Sequence, residues 1–357
     1  MVLLYKAFFE LLKSGLWEKD ISDLSIFPLS KDEWKELFLL ANNQTVLGLI
    51  YRGICHLPDE LLPPNDLRIK LMLYVSFIEK RNNEQREIIK EIQSHLQKID
   101  ITPILQKGQG VAMMYDYPLL RVCGDIDFYF SKIDFSKAQQ EMSKYVNLSL
   151  EPDESIFYNY KSECVEHHNH LIDFFNPLHK QFLSDLIDDV GCQSQTIDDL
   201  KIKVPNGIIN ILLLNTHILK HTMGWGIGLR QICDLARAYK YYSDSVDYNE
   251  LQKIYKKLGM IKWNNLLHSF LINYLDLDAK YLPKITSVNN SKSLYEIIIS
   301  GGNFGFANRS TEGEQTSLLL RKLSTMISFV KKGLFALKYS PLESLFSIIT
   351  LLKGQFK

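Results

Sequence analysis

Between Ile101 and Phe175 the hydrophobic rhythm of this chain differs from that on either side, and no other feature restricts the fold as much. Residues 101–105 (ITPIL) are apolar and β-branched, and they run into the glycine turn Lys107-Gly108-Gln109-Gly110. Residues 110–115 suit a short helix, and Asp116-Tyr117-Pro118 suits a turn. The next segment, 124–130 (GDIDFYF), alternates as a strand does. A helical pattern follows at 135–146, and then 155–160 and 163–175 read as two strands paired in a hairpin. Strand, helix, strand, helix, strand over about 75 residues predicts a small sheet domain.

The flanks are helical. Leu3, Leu4, Phe8 and Leu11 share one helix face. Ser30 and Glu33 have capping-box spacing, and helical periodicity runs from there to about Ile54. A long helix is expected from Asp66 to about Ile99, after the break at 62–66 (LPPND), with no chemistry in the first hundred residues. From Ile208 the chain is helical again, with segments at 208–221 and 229–242 around the glycine-rich link 224–228, and more near Tyr248–Lys257 and Ile261–Tyr274. Residues 301–317 read as a surface loop. The expected fold class is therefore α+β: a small mixed sheet core at 101–205, an N-terminal helical region at 1–100, a C-terminal helical domain at 206–310 and a helical tail at 311–357. From Leu318 onward the tail carries seven basic residues against one acid, Glu343, which suits weak contact with an anionic membrane surface or a partner, or a packed terminal helix.

Charge and cysteine content narrow the function. With 41 basic and 41 acidic residues, no global field draws in a nucleic-acid backbone, so general DNA or RNA binding is not expected. The five cysteines are scattered without a C-x-x-C, the pattern of reduced thiols and not of a cysteine zinc site. The apolar stretch at the start is too short and too charged for a signal peptide or a membrane span, so the expected location is the cytoplasm.

The chemistry concentrates at Asp125 and Asp127. Residues two apart on a strand point to one face, so their carboxylates lie side by side, an arrangement that a divalent cation with oxygen ligands relieves. Ile126 and Phe128 then face the core. Gly108, between strand and helix, allows close approach to a phosphate, and Lys107 neutralises its charge. On 163–175, alternation places Glu166, His168 and His170 together, and Val165, His167 and Asn169 opposite. Glu166 is the candidate third metal ligand or general base, and the histidines are candidates for phosphate or substrate contact. Asp173 falls on the other face and ranks lower. The histidine cluster of 163–175 could instead hold zinc, and His217 and His221 also share a helix face, but Ile218, Leu219 and Lys220 between them supply no catalytic glutamate, so a zinc hydrolase is the weaker alternative.

Lys107-Gly108, Tyr115, Tyr117-Pro118, Arg121 and Gly124-Asp125-Ile126-Asp127 resemble the signature of the uncharacterised nucleotidyltransferases of bacteria, in the polymerase-β-like superfamily. Residues 165–171 resemble the family segment with an acid two residues before a histidine, which maps the third acid onto Glu166. Residues 217–221 and 226–236 resemble its helical C-terminal region. The resemblance implies transfer of a nucleotidyl group from a nucleoside triphosphate, ATP by default, to an acceptor hydroxyl on a small molecule, sugar or protein. It implies Mg²⁺ (or Mn²⁺) on Asp125, Asp127 and Glu166. Lys107, Gly108, Gln109, Arg121, His168 and Arg230 are the corresponding nucleotide-binding candidates, with Arg230 alternatively paired to Asp234 one helical turn away. Gln109 stands where the superfamily usually carries serine or glycine, which motivates a second reading: a non-catalytic nucleotide- or partner-binding protein on the same fold.

Overall fold

The structure, a computed structural model, describes residues 2–151, 155–197, 200–223, 226–284, 291–301 and 333–355. Four helices come first: α1 (Val2–Trp17), α2 (Lys31–Asn43), α3 (Leu47–Ile54) and α4 (Asn65–Gln97). The capping box forms: the Ser30 hydroxyl accepts from the Glu33 amide at 3.3 Å, and the Glu33 carboxylate accepts from the Ser30 amide at 2.8 Å. The periodicity from Ser30 to Ile54 is interrupted where Thr45 turns left-handed (φ 54°), which separates α2 from α3. That break lets α3 cross α1 closely. A β-carbon on Gly53 would stand 2.1 Å from the Leu11 carbonyl oxygen, so only glycine permits the approach.

The sheet runs from β1 (Ile104–Leu105) through β2 (Ile126–Tyr129), β3 (Ser149–Leu150), β4 (Ile156–Tyr160), β5 (Glu163–His168), β6 (Cys192–Ile197) and β7 (Leu200–Pro205). Helices α5 (Lys107–Ala112), α6 (Lys132–Met142) and α7 (Pro177–Val190) interrupt the strands. Among the described residues the strand order is β3-β4-β5-β2-β1-β7-β6. The β4–β5 hairpin forms as expected, with Ile156 opposite His167 and Tyr160 opposite Glu163. β2 lies parallel to β5 and antiparallel to β1, so the sheet is mixed. The hairpin β6–β7 and α7 extend it beyond the elements expected from the sequence.

Alternation sorts the two faces. Leu105, Ile126, Phe128, Tyr158, Val165, Ile202 and Val204 are buried, and they pack with Ile88, Ile89, Ile92 and Leu96 of α4 and with Ala138 and Met142 of α6. Asp127, Cys164, Glu166 and His168 occupy the opposite face. On the C-terminal side follow α8 (Gly207–Met223), α9 (Leu229–Tyr241), α10 (Tyr248–Lys257), α11 (Ile261–Leu275), α12 (Lys292–Gly301), a helical stretch at 333–339 and α13 (Pro341–Gln355). Helices from both ends of the chain share one core, in which Phe8 and Leu12 join Trp263, Phe270 and Ile298. The chain is thus an α+β protein with one mixed sheet between helical flanks.

The tail is anchored by its acid: both Glu343 carboxylate oxygens accept backbone amides, from Phe175 and from Asn176. The surface loop expected at 301–317 lies outside the described residues from 302 on, as do Lys331 and Lys332 of the basic tail. Among the described residues no helix is long and apolar enough to cross a membrane.

Candidate active site

The site is assembled where β1 turns into α5 beneath the start of β2. Leaving β1, the Gln106 amide donates to the Asp127 carbonyl at 2.9 Å, which ties the turn to the acid strand. Lys107 and Gly108 then both take positive φ, 29° and 40°, and Gly108 has ψ −122°, a conformation closed to side chains. Its carbonyl accepts from Arg121 Nη1 at 3.2 Å, and a β-carbon there would sit 3.3 Å from the Asp125 carbonyl oxygen. Gly108→Ala is expected to cost about 1–3 kcal/mol of stability, with the excess shown by a urea titration. A midpoint equal to wild type would show that the turn tolerates a side chain.

The carboxylates meet across the β2–β5 register, in which Asp127 lies opposite Glu166 and Tyr129 opposite His168. His168 Nε2 is 3.0 Å from Asp127 Oδ1 and 3.2 Å from Glu166 Oε2. Burial works against the Asp127 carboxylate, but Lys107 and the His168 contact outweigh it and hold its pKa below the ordinary value. His168 is the mirror case: burial disfavours its charge, and the two carboxylates raise it to about 9. Asp125 behaves oppositely to Asp127. Burial and the charges of Asp127 and Glu166 push its pKa up, while Cys164 and Arg81 pull it back. Burial and the Asp125 and Glu166 charges together push the Cys164 thiol to about 12.

Two triplets of metal-ligand spacing form among the described residues, Asp125–Cys164–Glu166 and Asp127–Glu166–His168, each with its ligand atoms within 4.8 Å of one another. Glu166 belongs to both. The donors suit a divalent cation: Glu166 meets Asp125 in one triplet and Asp127 in the other, and desolvation together with the two neighbouring acids lifts Asp125. Neither triplet contains His217 or His221, whose rings instead pack 4.3 Å apart, so the zinc-hydrolase alternative has no ligand set there.

Other expected contacts lie elsewhere. Gln109 turns away from the phosphate side into α4. Its amide nitrogen donates to Asn82 at 2.9 Å and Gln85 at 3.1 Å, and its oxygen accepts from Arg86 at 3.3 Å. Arg121 is buried in a bidentate bridge to Asp234, at 2.7 and 2.6 Å. Arg230 is expected either to pair with Asp234 or to reach the nucleotide, and Asp234 carries the Arg121 bridge. Arg230 donates to the Val122 carbonyl at 2.8 Å. His170 leaves the face shared by Glu166 and His168 because β5 ends at His168, and it faces Asp173 at 3.4 Å.

The sequence pattern missed two groups. Asp173, expected on the wrong face, carries Lys220 at 2.7 Å. Burial opposes its charge, but Lys220, Lys107 and His170 bring its pKa down to about 2. Burial chiefly lowers His217 and His221, and the Lys107 charge adds to it. The second group is a polar row on α4. Gln85 donates to the Gly124 carbonyl at 2.6 Å and to Glu163 at 2.8 Å, Arg81 bridges Glu163 at 2.9 Å, and Asn82 donates to the Leu119 and Arg121 carbonyls. These groups fix the backbone that enters Asp125. Their signal was a polar row at 82, 85 and 86 on the helix face that continues into Ile89.

A family model described as uncharacterised nucleotidyltransferase matches residues 30–270. No curated protein matches the chain. Among solved structures, the chain is similar to an antigenic nucleotidyltransferase-like protein from Paracoccidioides brasiliensis, at 14% identity over 57% of this chain and 95% of that one, with a TM-score of 0.37. Because the family match spans more than half of its residues, the chain belongs to the uncharacterised nucleotidyltransferase family.

Proposed function

We propose that this protein moves a nucleoside monophosphate from a nucleoside triphosphate, ATP in the first instance, to an acceptor hydroxyl. The observation that carries the reading is the opposition of charge around the glycine turn. Asp125 and Asp127 each fall with Glu166 in a triplet of metal-ligand spacing, and Lys107 is near enough to Asp127 to help hold it charged. The acids suit a cation, and Lys107 on the glycine turn suits a phosphate of the triphosphate. Mg²⁺ or Mn²⁺ held by the three carboxylates would supply charge neutralisation for the triphosphate. In the transfer, the acceptor oxygen bonds to the α-phosphorus while the bond to the pyrophosphate oxygen breaks. Glu166, assisted by Asp127, takes the hydroxyl proton, and pyrophosphate leaves toward Lys107. Positioning supplies most of the acceleration, as is usual in phosphoryl chemistry.

The test incubates the protein with Mg²⁺, ATP labelled at the α-phosphate and a panel of small-molecule, sugar and protein hydroxyl acceptors. Transfer of label by wild type, lost in Asp125→Ala/Asp127→Ala, is the expected result. Equal triphosphate binding and equal transfer by the double variant would sink the reading. The inward orientation of Gln109 and Arg121 favours a second reading, nucleotide binding without transfer. Tight triphosphate binding by calorimetry with no labelled product across the panel would establish it.

A further inference from the structure

The helical stretch at 333–339 and α13 pack by their polar side. The Ser340 amide donates to the Ala336 carbonyl and the Ser344 amide to the Ser340 carbonyl, so helical spacing carries from one into the other. Ala336, Ser340, Glu343 and Ser344 are buried, whereas Leu334, Leu337, Leu342, Leu345 and Ile349 are between 38% and 65% exposed. On helical spacing these five apolar residues and Lys338 fall within about 140° of the circumference, and the buried four lie on the other side. A terminal helix that completes a core turns its leucines inward. Here an alanine, two serines and an acid are turned in, and the leucines are left to solvent.

Charge divides the same way. Residues 331–357 carry five lysines and one acid. That acid, Glu343, is the one turned inward, where its carboxylate accepts the Phe175 and Asn176 amides just ahead of α7. Lys338 is exposed on the leucine side. The start of α7 adds Leu178, 80% exposed, and the exposed Lys180. The acids of α7, Asp185, Asp188 and Asp189, begin two turns further on.

We propose that the outer face of 333–349, with Leu178 beside it, docks on an anionic lipid bilayer. The leucines enter the boundary between headgroups and acyl chains, and the lysines meet the lipid phosphates. Among the described residues no helix is long and apolar enough to cross, so the contact lies in the plane of the surface. Charge favours lipid over a second copy of the chain: a two-fold contact on this face would set lysines against lysines, and an anionic surface neutralises them. The proposal needs nothing of the nucleotidyl transfer, and its test contains no nucleotide.

The experiment mixes the full chain with vesicles of phosphatidylcholine, alone or with about one-third phosphatidylglycerol, and reads partition by flotation. Partition onto the anionic vesicles is expected to exceed that onto the neutral ones by about thirtyfold or more, and to fall by about tenfold when salt is raised from about 0.1 to about 0.5 M. Leu342→Ser with Leu345→Ser removes two inserting side chains and is expected to weaken partition by about tenfold or more. The urea midpoint should stay at the wild-type value, because both side chains are exposed. Lys338→Glu is expected to weaken binding to the anionic vesicles by about fivefold or more and to leave the neutral ones unchanged, and it carries the test should the leucine variant fold poorly. Equal partition onto the two vesicle types, or wild-type flotation by both variants, would overturn the proposal. So would a dimer in analytical ultracentrifugation that the leucine variant converts to monomer, since a second copy would then cover the face.

Discussion

Asparagine at either Asp125 or Asp127 is expected to lower nucleotidyl transfer by about a thousandfold or more, because each removes a carboxylate from the charge-neutralising centre. The two variants should nevertheless move stability in opposite directions. Asp127 is held in its charged form by Lys107 and His168 against the cost of burial. Losing that charge leaves His168 with a neutral neighbour, and about 1–2 kcal/mol of stability should go with it. Asp125 is crowded: partial desolvation at the site and the charges of Asp127 and Glu166 raise its pKa, although its side chain still reaches solvent. Removing its charge relieves repulsion, so Asp125→Asn should equal or exceed wild type, by no more than about 0.5 kcal/mol because the side chain is exposed to solvent screening. Initial rates with labelled ATP and urea midpoints on the same preparations check both halves. A tenth of the wild-type rate surviving in either variant would defeat the catalytic assignment. Asp125→Asn proving the less stable of the two would defeat the electrostatic one.

That contrast between neighbouring acids marks how far local pattern reaches. Alternation alone assigns Asp127 to one face and Ile126 and Phe128 to the other, and it divides β5 correctly between Glu166 with His168 and Val165 with His167. The Ser30–Glu33 cap is legible for the same reason, since both partners sit within one helical turn. Asp173 is misplaced because alternation is trusted past His168, where the strand stops. The hairpin β6–β7 had a signal in Lys201 and Lys203 set against Ile202 and Val204, and α7 had one in Asn176 followed by Pro177.

Long-range polar pairing is a different matter. Gln109 looks like a phosphate contact because it follows the glycine of the turn. Its destination is set by Asn82, Gln85 and Arg86, more than twenty residues earlier, and no periodicity connects the two. Arg121 and Asp234 are 113 residues apart. What selects these partners is the need to satisfy every buried polar group once tertiary packing is complete. The site therefore has two layers of different legibility. Asp127 and Glu166 follow from strand pattern, while the place of Asp125 just ahead of β2 and the groups that hold the acids follow only from the folded chain.

The Arg121–Asp234 bridge gives the second large effect. Arg121 and Asp234 are 6% and 2% exposed, and Asp234 also accepts from the Tyr115 hydroxyl at 2.8 Å. Asp234→Ala strands a buried guanidinium and is expected to cost about 3–5 kcal/mol, read as a lower urea midpoint with unchanged slope. Replacing both partners by apolar residues of similar volume, Arg121→Met with Asp234→Leu, should recover part of that loss, since the Arg121 charge leaves with its partner, while the Tyr115 hydroxyl loses its acceptor and Arg230 a nearby carboxylate. Activity should not return with stability. The Arg121 side chain also donates to the Gly108 carbonyl, and methionine cannot, so the turn that carries Lys107 loses its anchor in the double variant. A stable double variant with transfer still reduced by tenfold or more would separate the two duties of Arg121, bracing α9 and positioning the turn. Full activity in that variant would show that β1 and α5 hold Gly108 without it, and a loss below about 1 kcal/mol in Asp234→Ala would show that the bridge is not the brace its geometry describes.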